Sequence, residues 1–86
     1  MTKKYRTKPI EIEAVELTRY NYSKVMSWIG EPALTLAQTF DAGVVIETLN
    51  GPVLAEWGDY VIKGVEGDFY PCKVETFEAV YESVND

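Results

Sequence analysis

The stretch VVIETLNGPVLAEWGDYVIKGVEGDFYPCK (residues 44–73) decides the fold. Runs of β-branched and aromatic residues alternate in it with glycine-containing turns, and Asn50-Gly51 between two such runs is a strong hairpin signal. The triplets Gly58-Asp59-Tyr60 and Gly67-Asp68-Phe69 each place an aspartate before a strand-like run. Because an aspartate at a turn caps nearby backbone N–H groups, the stretch predicts consecutive antiparallel strands joined by tight turns.

Upstream, KPIEIEAVEL (residues 8–17) has the period-two alternation of a strand. The alternation slips at Ala14-Val15, which indicates either a bulge or a strand end that is buried on both faces. If this strand extends back toward the first residues, Lys4, Arg6 and Lys8 share one face of it.

A short helix is predicted next. Asn21 is a favourable N-cap residue, and Tyr20 is placed to pack on Val25 as a hydrophobic staple. Gly30 and Pro32 end the helix. Its apolar stripe consists of Tyr22, Val25, Met26 and Ile29, with Trp28 beside it either as a flank of the core or as an exposed aromatic side chain.

The remaining segments complete the predicted fold. ALTLAQTF (residues 33–40) reads as a strand, and VETFEAVYESV (residues 74–84) as a closing helix with Phe77, Val80, Tyr81 and Val84 at helical spacing. The prediction is a single domain over residues 1–86 of the α+β class: a curved antiparallel sheet of about five to six short strands with two short helices, in the order β-α-β-β-β-β-β-α.

Composition restricts the class of protein. An apolar content of 47% excludes a disordered chain. Cys72 is the single cysteine and histidine is absent, so an internal disulfide and a Cys/His zinc site are excluded. The sequence contains neither a membrane-length apolar run nor a basic leader followed by an apolar segment. We therefore expect a reduced, cytosolic protein without membrane association.

The charge of the chain is unevenly distributed. Lys3, Lys4, Arg6 and Lys8 lie in the first eight positions, whereas the rest of the chain sets four cations against all fourteen acids, a net of −10. Nucleic acid binding normally needs cations for the phosphates, so it is not expected. The acidic body leaves a basic protein partner open. Six tyrosines and two tryptophans suit half-buried interface positions and predict a homo-oligomer.

Catalytic patterns are scarce. No histidine is available as a general base, and no imidazole is available to activate Cys72, which is expected to be a buried structural thiol. No glycine-rich loop opens a helix as phosphate-binding loops do. We expect a protein that is not an enzyme, with no catalytic residues, metal or cofactor.

Binding of a small anion has a stronger basis in the sequence. If the first strand lies beside the strands YVIKG and DFYPCK, cations and aromatic rings converge on one pocket. The predicted charge-neutralising residues are Arg6, Lys8, Lys63 and Lys73, and those that stack or donate hydroxyls are Trp57, Tyr60 and Tyr70. The alternative is a set of edge-strand lysines that only discourage aggregation.

Both ends of the chain resemble one family. MTKKYRTKPIEIEAVEL and GDYVIKGVEGDFYPCKVETFEAVYE are similar to the terminal segments of small phage and prophage proteins of unassigned function, and the second also resembles the broader PGDYG-type domain. Trp57 stands where that family usually has proline, and Val74-Glu75 replaces its Pro-Asp. Residues 18–43 carry no such likeness.

The resemblance implies a small accessory protein made by a phage inside its host. It favours a counter-defence protein that sequesters a nucleotide-derived signal in a pocket of an oligomer. One alternative is an acidic, anti-CRISPR-like inhibitor of a host protein. Another is a structural component of the phage particle.

Overall fold

The computed structural model describes residues 1–6, 8–34 and 40–84 of the chain. The elements occur in the order β-α-β-β-β-β-β-α, so the predicted α+β class and element order are confirmed. Their bounds are β1 Glu13–Glu16, α1 Tyr22–Ile29, β2 Ala33–Leu34, β3 Gly43–Thr48, β4 Gly51–Glu56, β5 Tyr60–Lys63, β6 Phe69–Cys72 and α2 Val74–Val80.

The strands form two antiparallel sheets rather than one continuous sheet. The first sheet has the order β1-β5-β6 and the second β2-β3-β4. In the first sheet Glu16 pairs with Tyr60, and Tyr60 pairs with Cys72. Because directly paired residues point to the same face, this register determines which side chains share a face.

The chain crosses between the sheets at a corner, residues 57–59. The Trp57 N–H donates to the Ala42 carbonyl, just before β3, at 3.0 Å. The Gly58 N–H donates to the Leu17 carbonyl, just after β1, at 2.7 Å, and the Leu17 N–H donates to the Asp59 carbonyl at 2.8 Å. Gly58 has φ of 97°, a left-handed conformation that favours glycine. The corner is therefore bonded to both sheets.

The core lies between α1 and the facing sides of the two sheets. Val15, Val61 and Phe69 share the inner face of the first sheet and belong to this core. The buried apolar residues of this core are Leu17, Val25, Ile29, Val44, Ile46, Ala55 and Val61, and Ile62 is buried on the opposite face of the first sheet, where it pairs with Tyr70. Full burial of a side chain such as Ile46 stabilises the fold by about 2 kcal/mol.

Helix α1 buries the predicted stripe but begins differently. Val25 and Ile29 are buried, which confirms the stripe. Asn21 is the N-cap residue, yet its amide accepts from the Thr18 N–H and donates to the Glu16 carbonyl, both at 2.8 Å. The predicted packing of Tyr20 on Val25 is wrong, because this tight turn leaves Tyr20 101% exposed.

The predicted hairpin at Asn50-Gly51 joins β3 to β4. Thr48 pairs with Gly51, so Leu49 and Asn50 form the loop. Gly51 takes the positive φ of 100°, and the Thr48 hydroxyl donates to its carbonyl at 2.7 Å. The two later turn aspartates precede β5 and β6, as the sequence predicts.

The first strand is shorter than predicted, and the described residues before Glu13 have no regular secondary structure. Membership of Lys4, Arg6 and Lys8 in a strand is therefore wrong. The reason is that β5 ends at Lys63, the partner of Glu13, and the chain turns away at Gly64, so nothing is left to pair upstream. The register through Ala14-Val15 is continuous, which excludes a bulge there.

Two further segments depart from the sequence prediction. Helix α2 ends at Val80, and Tyr81 is already extended, because Val80 and Val84 are exposed and another helical turn would bury nothing. Of the predicted strand over residues 33–40, β2 covers Ala33–Leu34, and positions 35–39 lie outside the described residues.

Candidate functional site

The structure separates the predicted site residues. Arg6 and Lys8 lie exposed on the segment that precedes β1. Lys63 ends β5 on the inner face of the first sheet, opposite Glu13 and Phe69. Tyr60 and Tyr70 lie on the outer face of the same sheet, since Tyr60 pairs with Cys72 and Tyr70 pairs with Ile62. Lys63 therefore does not share a surface with the two tyrosines.

Trp57 is the centre of an aromatic group at the corner. Its ring meets Tyr22 and Phe40 edge-on, with centroids 5.9 and 5.4 Å away. Its indole N–H donates to the carbonyls of Phe40 and Asp41, each at 3.1 Å. The guanidinium of Arg19 lies over the ring, 5.1 Å from its centroid. We call Tyr22, Phe40 and Trp57 the Trp57 cluster; its contacts hold the corner together.

Lys73 is bound by carboxylates of the chain itself. Its ammonium lies 3.2 Å from Glu56 and 3.2 Å from Asp59. Hydrogen bonds to Glu56 and then to Asp59 raise the pKa of Lys73. Asp59 is buried, and its carboxylate also accepts from the Glu56 N–H at 2.9 Å. The predicted cation is therefore neutralised, and it stabilises the first Gly-Asp turn.

Tyr60 belongs to a different aromatic group on the outer face. Its ring lies parallel to that of Phe77 on α2, with centroids 4.0 Å apart and planes 7° from parallel. The ring of Phe77 in turn lies 5.0 Å from that of Tyr81, at 29°. We call Tyr60, Phe77 and Tyr81 the aromatic stack. Of these residues only Phe77 lies on α2, a helix in which no residue is fully buried.

Tyr70 lies next to the aromatic stack. Burial raises its pKa to about 12, and the hydroxyl of Tyr81 and the carboxylate of Asp68 add to this. Tyr70, Asp68 and Asn50 also line a groove of about 390 Å³ between β6 and the β3–β4 hairpin. Asp68 is the only charged residue that lines this groove among the described residues, and its charge is negative.

A smaller cavity of about 260 Å³ lies beside α1. It is lined almost entirely by apolar atoms, with Lys24 and Trp28 among its residues. Trp28 also contacts Phe69 edge-on, with centroids 5.0 Å apart, which confirms its prediction as a flank of the core. A cation, Lys24, and an indole ring, Trp28, therefore line the same cavity.

Cys72 is half-buried rather than fully buried, and it lies on the outer face opposite Tyr60. Burial, followed by the negative charge of Asp59, raises the pKa of its thiol. A raised pKa lowers the thiolate fraction and so the reactivity near neutral pH. Among the residues that the structure describes, no group of three or more acidic, cysteine or histidine side chains is arranged to hold a metal ion.

Comparisons with known proteins identify no relative of this chain. No family model matches the chain. Searches of curated proteins and of solved structures find no significant match either. Helices long and apolar enough to cross a membrane do not occur in the described part of the chain.

The candidate site is therefore the outer face of the first sheet together with α2. Of the predicted residues it combines Tyr60 and Tyr70, and it adds Phe77 and Tyr81, which the sequence interpretation assigned only to helix packing. Their four-residue spacing places them on one side of a helix, but only the pairing of β5 with β6 places Tyr60 against them.

Proposed function

We propose that the protein is a non-enzymatic binding protein that captures a basic segment of a partner protein on its outer face. The observation that carries this proposal is the aromatic stack on α2, a helix with no buried residue. It corresponds to the acidic inhibitor or modulator of a host protein that the sequence left as an alternative.

The region of α2 also exposes apolar side chains. Val80, the last residue of α2, is 66% exposed, and Val84, which follows the helix, is 62% exposed. Short surface helices normally bury an apolar stripe, because burial supplies most of the stability of a helix in a protein. Exposed apolar side chains near half-buried aromatic rings are typical of a binding surface.

Exposed carboxylates lie in the same segment of the chain as two of these rings. Glu75 and Glu78 lie on α2, and Glu82 follows it, all exposed. Glu16 pairs with Tyr60 and so projects on the same face. Ring faces attract lysine and arginine, and carboxylates form charge-assisted hydrogen bonds with them. The combination therefore favours a basic segment over an anionic ligand.

A peptide titration tests this function. A fluorescein-labelled Lys/Arg-rich peptide that contains one tyrosine is compared with a Glu/Asp-rich peptide of equal length. We expect the basic peptide alone to bind, and its affinity to fall with added salt. Phe77→Ala should weaken binding by at least about tenfold, because it removes the central ring of the stack.

Tyr20→Ala is the matched control, since Tyr20 is fully exposed and belongs to neither aromatic group. Circular dichroism verifies that both variants fold. Equal binding of the two peptides, or an unchanged affinity in Phe77→Ala, would contradict the proposed function.

The second candidate is capture of a small anion with an apolar body, as the sequence predicts for a nucleotide-derived signal. The cavity beside α1 supports it, because Lys24 and Trp28 both line that cavity. Calorimetric titration with cyclic nucleotides and ADP-ribose derivatives tests it. A binding heat with one of these compounds that is lost in Lys24→Gln would support this candidate. If the basic peptide also fails to bind, small-anion capture becomes the preferred function.

A further inference from the structure

The segment that precedes β1 has the chemistry expected of a ligand for the outer face. We call residues 1–12 the basic arm; the structure describes all of it except position 7. It exposes Lys3, Lys4, Arg6 and Lys8, and Tyr5 is 90% exposed. Within the described part of the chain, these four cations form no ion pair.

The molecule is more elongated than a compact chain of its length, and the described residues of the arm up to Glu11 are all exposed. The radius of gyration is 14.3 Å and the longest dimension is 50 Å. A compact chain of this length has a radius of gyration of about 12 Å. The arm is exposed and positively charged, and the rest of the chain is negatively charged. The arm's cations are therefore available to pair with carboxylates of another surface.

The direction of β1 disfavours contact between the arm and the outer face of its own chain. It enters β1 at Glu13, which pairs with Lys63, whereas the aromatic stack lies at the other end of β5, where Tyr60 pairs with Glu16. These ends are about 10 Å apart along the strand. To reach the stack of its own chain the arm would have to fold back along β1, whereas the outer face of a second copy imposes no such reversal.

We propose that the basic arm of one copy lies on the outer face of a second copy, so that reciprocal exchange forms a dimer and covers the partner-binding surface. This inference rests on the proposed function, because the arm uses the site assigned to the basic partner segment. Tyr5 would contact the aromatic stack, and the arm's cations would pair with Glu75, Glu78 and Glu82. Each copy has one arm and one outer face, so reciprocal exchange closes at two copies.

Charge reversal tests the exchange. The arm variant carries Lys4→Glu, Arg6→Glu and Lys8→Glu, and the face variant carries Glu75→Lys, Glu78→Lys and Glu82→Lys. Sedimentation velocity should show a dimer for the unaltered chain that dissociates in high salt. Each variant alone should be monomeric. Their equimolar mixture should restore the dimer, because both exchanged contacts are again between opposite charges.

Glu31→Lys, Glu47→Lys and Glu66→Lys together form the matched control, since these acids are exposed and lie outside α2. This control reverses the same number of charges and should remain dimeric. A monomeric unaltered chain, a dimeric arm variant or a monomeric mixture would each overturn the exchange.

A peptide measurement separates this inference from the proposed function. In the neutral-arm variant (Lys4→Gln, Arg6→Gln, Lys8→Gln) the outer face is intact and no longer covered. We expect this variant to bind the basic peptide at least about tenfold more tightly than the unaltered dimer, because the competing arm is removed. Equal affinity of the neutral-arm variant and the unaltered chain for the peptide would show that the arm does not cover the outer face, and it would leave the proposed function unaffected. Absence of binding in the neutral-arm variant overturns both.

Discussion

The Trp57 cluster and the aromatic stack contain the same kinds of side chain but have different environments. Around Trp57, two carbonyls accept from the indole, a guanidinium covers the ring and two further rings contact its edges. The aromatic stack joins Tyr60 of β5 to Phe77 of α2, a helix without a fully buried residue, and Val80 of that helix is exposed. The rings of both groups are half-buried, so the difference lies in what else holds them. The Trp57 ring is also held by hydrogen bonds and a cation, whereas α2 contributes no fully buried side chain to the fold.

The largest difference that we expect between the two groups is in the free energy of unfolding after one ring of each group is replaced. Trp57→Ala should lower the free energy of unfolding by about 3 kcal/mol, because it removes a half-buried ring and the hydrogen bonds that hold the corner. Phe77→Ala should lower it by less, about 1 kcal/mol, because it removes the ring contacts with Tyr60 and Tyr81 from a helix that has no fully buried residue. Urea unfolding followed by circular dichroism measures both. Equal losses in the two variants would contradict the distinction.

The two Gly-Asp turns extend the comparison to charged groups. Asp59→Ala should destabilise the fold by about 2 kcal/mol, because it leaves the Glu56 N–H without an acceptor and removes a carboxylate from Lys73. Asp68→Ala should cost less than about 1 kcal/mol, since Asp68 is half-exposed. Urea unfolding of the two variants, side by side, tests this. A larger loss in Asp68→Ala would reverse the assignment of the structural turn.

Alkaline pH should lower the stability of the fold through Tyr70 and Lys73. The folded state raises the pKa of Tyr70 from 10.0 to about 12 and that of Lys73 in the same direction, so it holds these protons more tightly than the unfolded chain. This stability is present below pH 10 and is lost as the pH rises toward about 12. The loss from Tyr70 should be about 1 kcal/mol after allowance for its partial exposure.

Unfolding in urea at a series of alkaline pH values measures this loss. Tyr70→Phe serves as the control, because it keeps the ring and removes the titrating hydroxyl. Its stability should therefore decrease less steeply above pH 10 than that of the unaltered chain. Identical slopes for the two proteins would exclude Tyr70 as the titrating group.

The smallest expected effect concerns the cation over the Trp57 cluster. Arg19→Ala should cost about 0.5 kcal/mol, since an exposed cation–π contact contributes about this much. Lys24→Ala, on an exposed position of α1, should change stability by less than that. Thermal unfolding of both variants measures the difference. A loss in Lys24→Ala as large as that in Arg19→Ala would show that the contact contributes no specific stability.

The comparison also shows how far the sequence predicts a site. Tyr60 and Tyr70 were identified from alternation along neighbouring strands, and they do share a face. Lys63 and Lys73 were assigned to the same site by the same reasoning. Lys63 lies on the inner face instead, and Lys73 is neutralised by two carboxylates that are distant in sequence. Alternation defines the two faces of one strand, but it does not define what approaches either face.

The sequence by itself determined the class of the fold, the order of its elements and the positions of its turns. Those features depend on local patterns: period-two alternation, a helical stripe, and glycine or asparagine where the chain must reverse. The tertiary structure alone decided the division into two sheets, the pairing of Lys73 with Asp59, and the placement of Phe77 against Tyr60. Each of these depends on contacts between distant segments, and such contacts are set by the packing of the whole chain.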